Sequence, residues 1–197
     1  YVFFYNAAYY LENPLLILHV WQGGMSFHGA LIGVGLALFT MAKRHNIAFL
    51  ALSDRVAMVT PIGLFLGRLS NFINGELYGR VTDVPWAMIF PHSDGLPRHP
   101  SQLYEAGLEG ILLGLAMYLC WRKGWLKATG RLTGLFLFGY GLARFLVELV
   151  RQPDAHIGLL AGGLSMGQIL SLPMMLLGLY LLRHALRPNR DQRPDHE

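Results

Sequence analysis

Charge is scarce in this chain, and the scarcity excludes an ordinary soluble domain. Sixteen Lys and Arg with twelve Asp and Glu make up 14% of the 197 residues, where a soluble domain carries about 25%. The remainder is oily: 53% of residues are hydrophobic and mean hydropathy is +0.38. Cysteine is nearly absent. A lone Cys120 excludes a disulfide framework and a thiolate metal cluster. Its place beside Trp121 and Arg122 in an apolar run reads as inert packing, not as a nucleophile. The eight histidines show no metal-ligand spacing, so no metal is expected. No strand-like alternation runs long enough for a barrel. The sequence opens without an initiator Met or a signal peptide, so it reads as a fragment whose earlier part is missing.

What is present is a set of apolar runs. Residues 25–42, 47–69, 103–121, 132–150 and 166–182 each approach the roughly 20 residues that cross about 30 Å of hydrocarbon, although charges interrupt the second and fourth. The fold expected is all-α, a polytopic integral membrane helical bundle. Residues 1–20, aromatic and broken by Asn13-Pro14, read as an interfacial arm, because Tyr and Trp favour the headgroup level. The Pro-rich loop 78–100 reads as a small periplasmic cap. Residues 1–187 form one transmembrane catalytic domain on this reading, and 188–197 a basic cytoplasmic tail.

The cations assign the sides. Lys43, Arg44 and Arg55 flank the first turn between spans. Arg122, Lys123, Lys127 and Arg131 lie between the third and fourth, and Arg183, Arg187, Arg190 and Arg193 follow the fifth. With alternating spans these eleven share one face, which the positive-inside rule makes cytoplasmic. Arg68, Arg80, Arg98, Arg144 and Arg151 fall in the opposite half and need another reason to exist. A +4 balance split in this way points to lipid as partner and not to nucleic acid.

The outward half gathers polar residues from four spans: Ser26 and His28; Arg68, Asn71, Asn74 and Glu76; Gln102, Tyr104 and Glu105; Tyr140, Arg144, Glu148 and Arg151. The last four step by four, four and three, which puts them on one helical face. Each has a plain structural reading as well. Arg144–Glu148 could be only an intrahelical ion pair, Asn71 and Asn74 could cap backbone at a helix end, and Gly67, Gly75 and Gly79 could serve turns and close contact. His28 alone reads as a hydrogen-bonded structural histidine, and Asp54 next to Arg55 reads as structural. Their convergence favours function, since buried charge in a bilayer marks a site and paired guanidiniums match phosphate oxygens bidentately.

Four motifs then carry a resemblance. Ser26-Phe27-His28-Gly29-Ala30-Leu31-Ile32-Gly33, Gly67-Arg68-x-x-Asn71-Phe72-x-Asn74-Gly75-Glu76-x-x-Gly79, His99-Pro100-Ser101-Gln102-Leu103-Tyr104-Glu105 and Tyr140-Gly141-x-x-Arg144-Phe145-x-x-Glu148 closely resemble the phosphatidylglycerol–prolipoprotein diacylglyceryl transferase family of bacterial inner membranes. They stand in the family's order across most of the chain. Ala30 departs from the Gly of many members, and the family's seven spans include an N-terminal portion, with a further important Tyr, that precedes Tyr1.

The resemblance implies that a diacylglyceryl group passes from phosphatidylglycerol to the lipobox cysteine of a preprolipoprotein signal peptide. A thioether forms and glycerol 1-phosphate leaves, with no cofactor. It implies His28 as the base for the incoming thiol, with Glu148 or Glu76 in reserve. Arg68 and Arg144 would bind the phosphodiester and stabilise the departing phosphate, with Arg151 beside them. Asn71, Asn74 and Tyr140 would orient headgroup oxygens, Glu76 and Glu148 would hold the arginines, and Gly79 would let backbone approach. Two rivals are a transporter, which predicts polar residues at all depths and repeated halves, and a noncatalytic lipid-binding module, which explains a phosphate clamp but not a base beside it.

Overall fold

The structure, a computed structural model, describes residues 27–91, 93–152 and 165–185, with backbone alone for 27–31. The arm expected over 1–20 and the tail expected over 188–197 lie outside the described residues. The chain divides into two compact units, Tyr1–Leu52 and Ser53–Glu197. Five helices form where the apolar runs predict them: α1 Phe27–Arg44, α2 Phe49–Ile73, α3 Ser101–Arg122, α4 Arg131–Val147 and α5 Met166–Ala185. α2, α3 and α5 are long and apolar enough to cross a membrane. At 18 and 17 residues, α1 and α4 are shorter.

In the second unit contacts fix the directions of the helices. Asp54 near the start of α2 meets Gly130 and Thr133 at the start of α4. Arg68 near the end of α2 and Arg144 near the end of α4 meet Glu105 at the start of α3. Thus α2 and α4 run one way, and α3 and α5 the other. Arg122, Lys123, Lys127 and Arg131 therefore gather at the Asp54 end, and the arginines left over by the positive-inside rule gather at the opposite end.

Asp54 has the structural role expected of it. The fully buried carboxylate accepts the Gly130 N–H, the Thr133 N–H and the Thr133 hydroxyl, each at 2.7 Å. It satisfies donors that the first turn of α4 would otherwise leave open and sits at the positive end of that helix's dipole. Between the two polar ends lies an apolar cluster of Ala57, Leu113, Met117 and Leu132, with Cys120 and Tyr140 packed against it. Cys120 is a packing residue there, as its surroundings in sequence predict.

α4 and α5 pack by backbone. A Cβ on Gly178 would stand 2.5 Å from the Phe138 nitrogen and 2.8 Å from the Gly134 carbonyl. Only hydrogen fits, and the small residues substitute for a hydrophobic force that lipid does not supply between helices. In α3, the stretch Ala106–Leu112 is wound as a π-helix, with the wider i→i+5 turn often found at functional sites.

The 78–100 loop contains no strand among its described residues, only isolated bridges of Val81 and Met88 to Arg98 and of Gly79 to Arg151. Buried Arg98 ties it together. Its guanidinium donates to the Gly79 carbonyl at 3.1 Å, to Gln152 Oε1 at 3.3 Å and to Asp94 at 2.7 Å, under the Tyr78 ring. Hydrogen bonding to Arg98 holds the Asp94 carboxyl below its ordinary range, and the same bond raises Arg98. Arg80 donates from its backbone to Val150 O at 2.8 Å and from Nε to Arg151 O at 2.9 Å. Two of the five cations left over by the positive-inside rule, Arg80 and Arg98, are thus accounted for as ties of this loop.

Candidate active site

The other three meet on one carboxylate. Glu105 is fully buried; its Oε1 takes Arg144 NH1 and Arg151 NH1, the latter at 3.3 Å, while Oε2 faces Arg68 Nε at 3.1 Å. Glu109, one helical step along and also fully buried, receives Arg68 through Nε and NH2, both at 3.4 Å. Glu148 Oε2 faces Arg144 NH2 at 3.3 Å. Three carboxylates thus offset three guanidiniums drawn from α2, α3, α4 and the turn that follows α4. Burying this many charges is tolerable only because each is paired.

The local sequence explains the convergence. Arg144, Glu148 and Arg151 reach Glu105 or its arginines from the end of α4 and the turn that follows it; α4 stops at Val147, so the single helical face that the spacing predicts ends before Glu148. Glu105 and Glu109, four apart on α3, face Arg68 together. The Oε1 atom of Glu109 has no hydrogen-bond partner among the described residues. Arg68 meets the two glutamates through Nε and NH2, with NH1 on the far edge of its fork.

The remaining predicted site residues lie as follows. Asn71 Nδ2 reaches Glu76 Oε2 at 3.5 Å, at the exposed end of α2. Asn74 is exposed. Glu76 therefore pairs with Asn71 and not with an arginine, and its backbone carbonyl accepts Gln102 Nε2. Tyr140 is stacked on Phe136 with ring centroids 5.8 Å apart, one turn before Arg144. Gly79 lies where a Cβ would stand 2.6 Å from Val150 O and 2.7 Å from His99 Cβ, so it permits close backbone approach, as expected. His28 is in the first turn of α1, and its side chain lies outside the described residues.

Two residues of the cluster were not among the predicted site residues. Glu105 stands in the third motif and opens its span, where the sequence marks it only as one polar residue of several. Glu109 was not singled out, although an acid four residues after Glu105 inside an apolar run is a signal in itself. Among the described residues no group of three or more His, Cys, Asp and Glu could hold a metal ion.

Comparison with known proteins gives a consistent result. The family model described as prolipoprotein diacylglyceryl transferase matches residues 1–184. The chain is similar to the phosphatidylglycerol–prolipoprotein diacylglyceryl transferase of Methylocella silvestris, 56% identical over 187 residues that cover 95% of this chain and 69% of that protein. It is 57% identical to the protein of that description from Bordetella parapertussis over 189 residues, 95% of this chain and 71% of the other. With the one from Aliivibrio fischeri it shares 55% over 189 residues, covering 96% and 68%.

Proposed function

Because the chain belongs to the prolipoprotein diacylglyceryl transferase family, we propose that it transfers the diacylglyceryl group of phosphatidylglycerol to a prolipoprotein, the first step of lipoprotein maturation. The acceptor on this reading is the lipobox cysteine, and the site faces the periplasmic side of the bacterial inner membrane. The observation that carries the reading is the cluster of Arg68, Arg144 and Arg151 on buried Glu105.

The chemistry follows from the donors. The cysteine sulfur attacks the diacylglycerol methylene carbon that bears the phosphodiester oxygen. A C–S bond forms, the C–O bond breaks, and its electron pair leaves on glycerol 1-phosphate. The thiol proton passes to His28, whose ordinary pKa near 6.5 suits removal of a proton from a thiol near 8.5. Arg68 and Arg144 bind the phosphate and stabilise the charge that grows on it. Glu105 holds their forks before the lipid arrives, so little reorganisation is left for the reaction. Glu148 steadies Arg144, Arg151 completes the cluster, and Asn71, Asn74 and Glu76 orient the headgroup from the rim, with Tyr140 doing so from one turn below Arg144, against the apolar cluster. Gly79 keeps the cap close to Arg151.

Guanidiniums gathered at one end of the bundle, with an apolar middle, suit a phosphate-binding site and differ from the full-depth polar path of a transporter. Membranes containing the full-length protein should move label from the acyl chains of phosphatidylglycerol to a lipobox peptide. Arg144→Lys, which keeps the charge but loses the planar fork, should lose most of that transfer. Absence of label on the peptide overturns the function, and Lys serving as well as Arg overturns the clamp.

A further inference from the structure

Gly167 lies in the first turn of α5 and is absent from the four motifs, yet its backbone lies against the cluster. A Cβ built there would stand 2.7 Å from Glu148 Cδ, 2.7 Å from Oε2 and 2.9 Å from Oε1. All three carboxylate positions are closer than carbon tolerates, so the Glu148 carboxylate occupies the space that a side chain on residue 167 would fill.

The backbone at this point cannot retreat. Ser165 Oγ accepts the Gln168 N–H at 3.2 Å and Gln168 Oε1 accepts the Ser165 N–H at 3.0 Å, a reciprocal cap that pins the first turn. Ser171 donates its hydroxyl to the Gly167 carbonyl at 2.7 Å. One turn deeper α5 lies against Gly141 of α4, where a Cβ would stand 3.1 Å from the Ser171 carbonyl. In contrast, the Glu148 carboxylate is the far end of a flexible side chain. With a side chain at 167 the carboxylate is the group that moves, and its 3.3 Å contact with Arg144 is disturbed.

We propose that Gly167 is a positioning residue for the transfer reaction: its missing side chain seats the Glu148 carboxylate against Arg144, and through Arg144 sets the phosphate-binding fork. The inference rests on the proposed role of Arg144 and Glu148. It differs from a packing role in one respect. A packing glycine costs stability in any background, whereas here the clash falls on the Glu148 carboxylate, so the loss depends on that carboxylate being present.

The test is a double-mutant cycle in the full-length protein, with Gly167→Ala, Glu148→Ala and the pair. Three quantities are read: the melting temperature, kcat and KM for transfer, and the rise in melting temperature that added phosphatidylglycerol produces. The last closes the cycle even where Glu148→Ala is too slow to assay. Gly167→Ala should lose about 10- to 100-fold in transfer, the scale on which a 1 Å misplacement acts, and any fall in its melting temperature should disappear in the Glu148→Ala background. In the Glu148→Ala background the same substitution should change either readout by less than about twofold, the limit of additivity for sites that do not interact. An equal loss in both backgrounds overturns the proposal, as does a wild-type rate for Gly167→Ala beside a slow Glu148→Ala. Wild-type behaviour of Glu148→Ala itself overturns the role given to Glu148 under the proposed function, and the inference with it.

Discussion

Glu105→Gln is the sharpest perturbation of the cluster. The substitution keeps the shape of the side chain and one acceptor oxygen. It replaces the second oxygen with an NH2 group and leaves three guanidiniums facing two carboxylates where they faced three. Removing one partner from a buried ion pair costs about 3–5 kcal/mol, because the group left behind is charged and out of water. For a protein of this size about 2–4 °C accompanies each kcal/mol, so the melting temperature should fall by roughly 6–20 °C. Thermal unfolding of the full-length protein in detergent, followed by a transfer assay well below both midpoints, separates the stability loss from the catalytic one. Both should be present, since the same carboxylate orients Arg68 and Arg144. Glu109→Gln supplies the scale: among the described residues Glu109 pairs with Arg68 alone, at 3.4 Å, and one of its oxygens has no partner there. Its loss should be the smaller. If Glu105→Gln melts and turns over like wild type, or if Glu109→Gln is the more damaging, Glu105 is not the hub and the reasoning fails.

At the other end of the bundle, Asp54→Ala opens three donors at the start of α4; it should cost about 1–3 kcal/mol, the penalty of unsatisfied buried groups. Transfer per folded molecule should be unchanged, and a loss of activity without loss of stability would contradict the capping role. In the cap loop, Arg98 holds the Asp94 carboxyl below its ordinary 3.8. The contribution of this pair is therefore complete above that pH and is lost as pH falls through the depressed value. The melting gap between wild type and Asp94→Asn should be present at pH 7 and close in strong acid; a gap that widens on acidification would reverse the sign. His28→Gln removes the proposed base, so transfer should fall by about 10²–10⁴-fold at pH 7. It should recover relative to wild type as pH rises toward the thiol's own pKa near 8.5, whereas a deficit equal at every pH would mark His28 as structural.

Much of the architecture could be read from residue order because its cause is local. Apolar runs of sufficient length become helices in any solvent that lacks hydrogen-bond partners for backbone. The five runs accordingly appear as α1 to α5 with ends shifted by only a few residues. The i,i+4 pairing of Arg144 with Glu148 follows from spacing alone. What spacing could not supply is the partner across the bundle. Arg68 could have met Glu76, nearby in sequence and in the same motif, but Glu76 sits beyond the end of α2 and turns to Asn71. The acids that receive Arg68 come from α3.

Their arrival depends on features written in glycines and winding more than in charge. Gly110 lets the backbone of α3 approach until a Cβ there would stand 2.6 Å from Phe65 Cβ on α2. The π segment Ala106–Leu112 begins beside Glu105 and contains Glu109, so its wider turn governs how both carboxylates face Arg68. Neither feature has a charge pattern to reveal it. The composition nevertheless carried a clue of a different kind. Once Arg80 and Arg98 are taken up by the cap and Asp54 by α4, the cations of the outer end that still need partners are three. The buried acids that remain are Glu105, Glu109 and Glu148. Charge balance in a medium that does not forgive an unpaired charge matches these two sets, and an acid four residues after Glu105 within an apolar span is the mark in sequence that points to Glu109 as a member of the site.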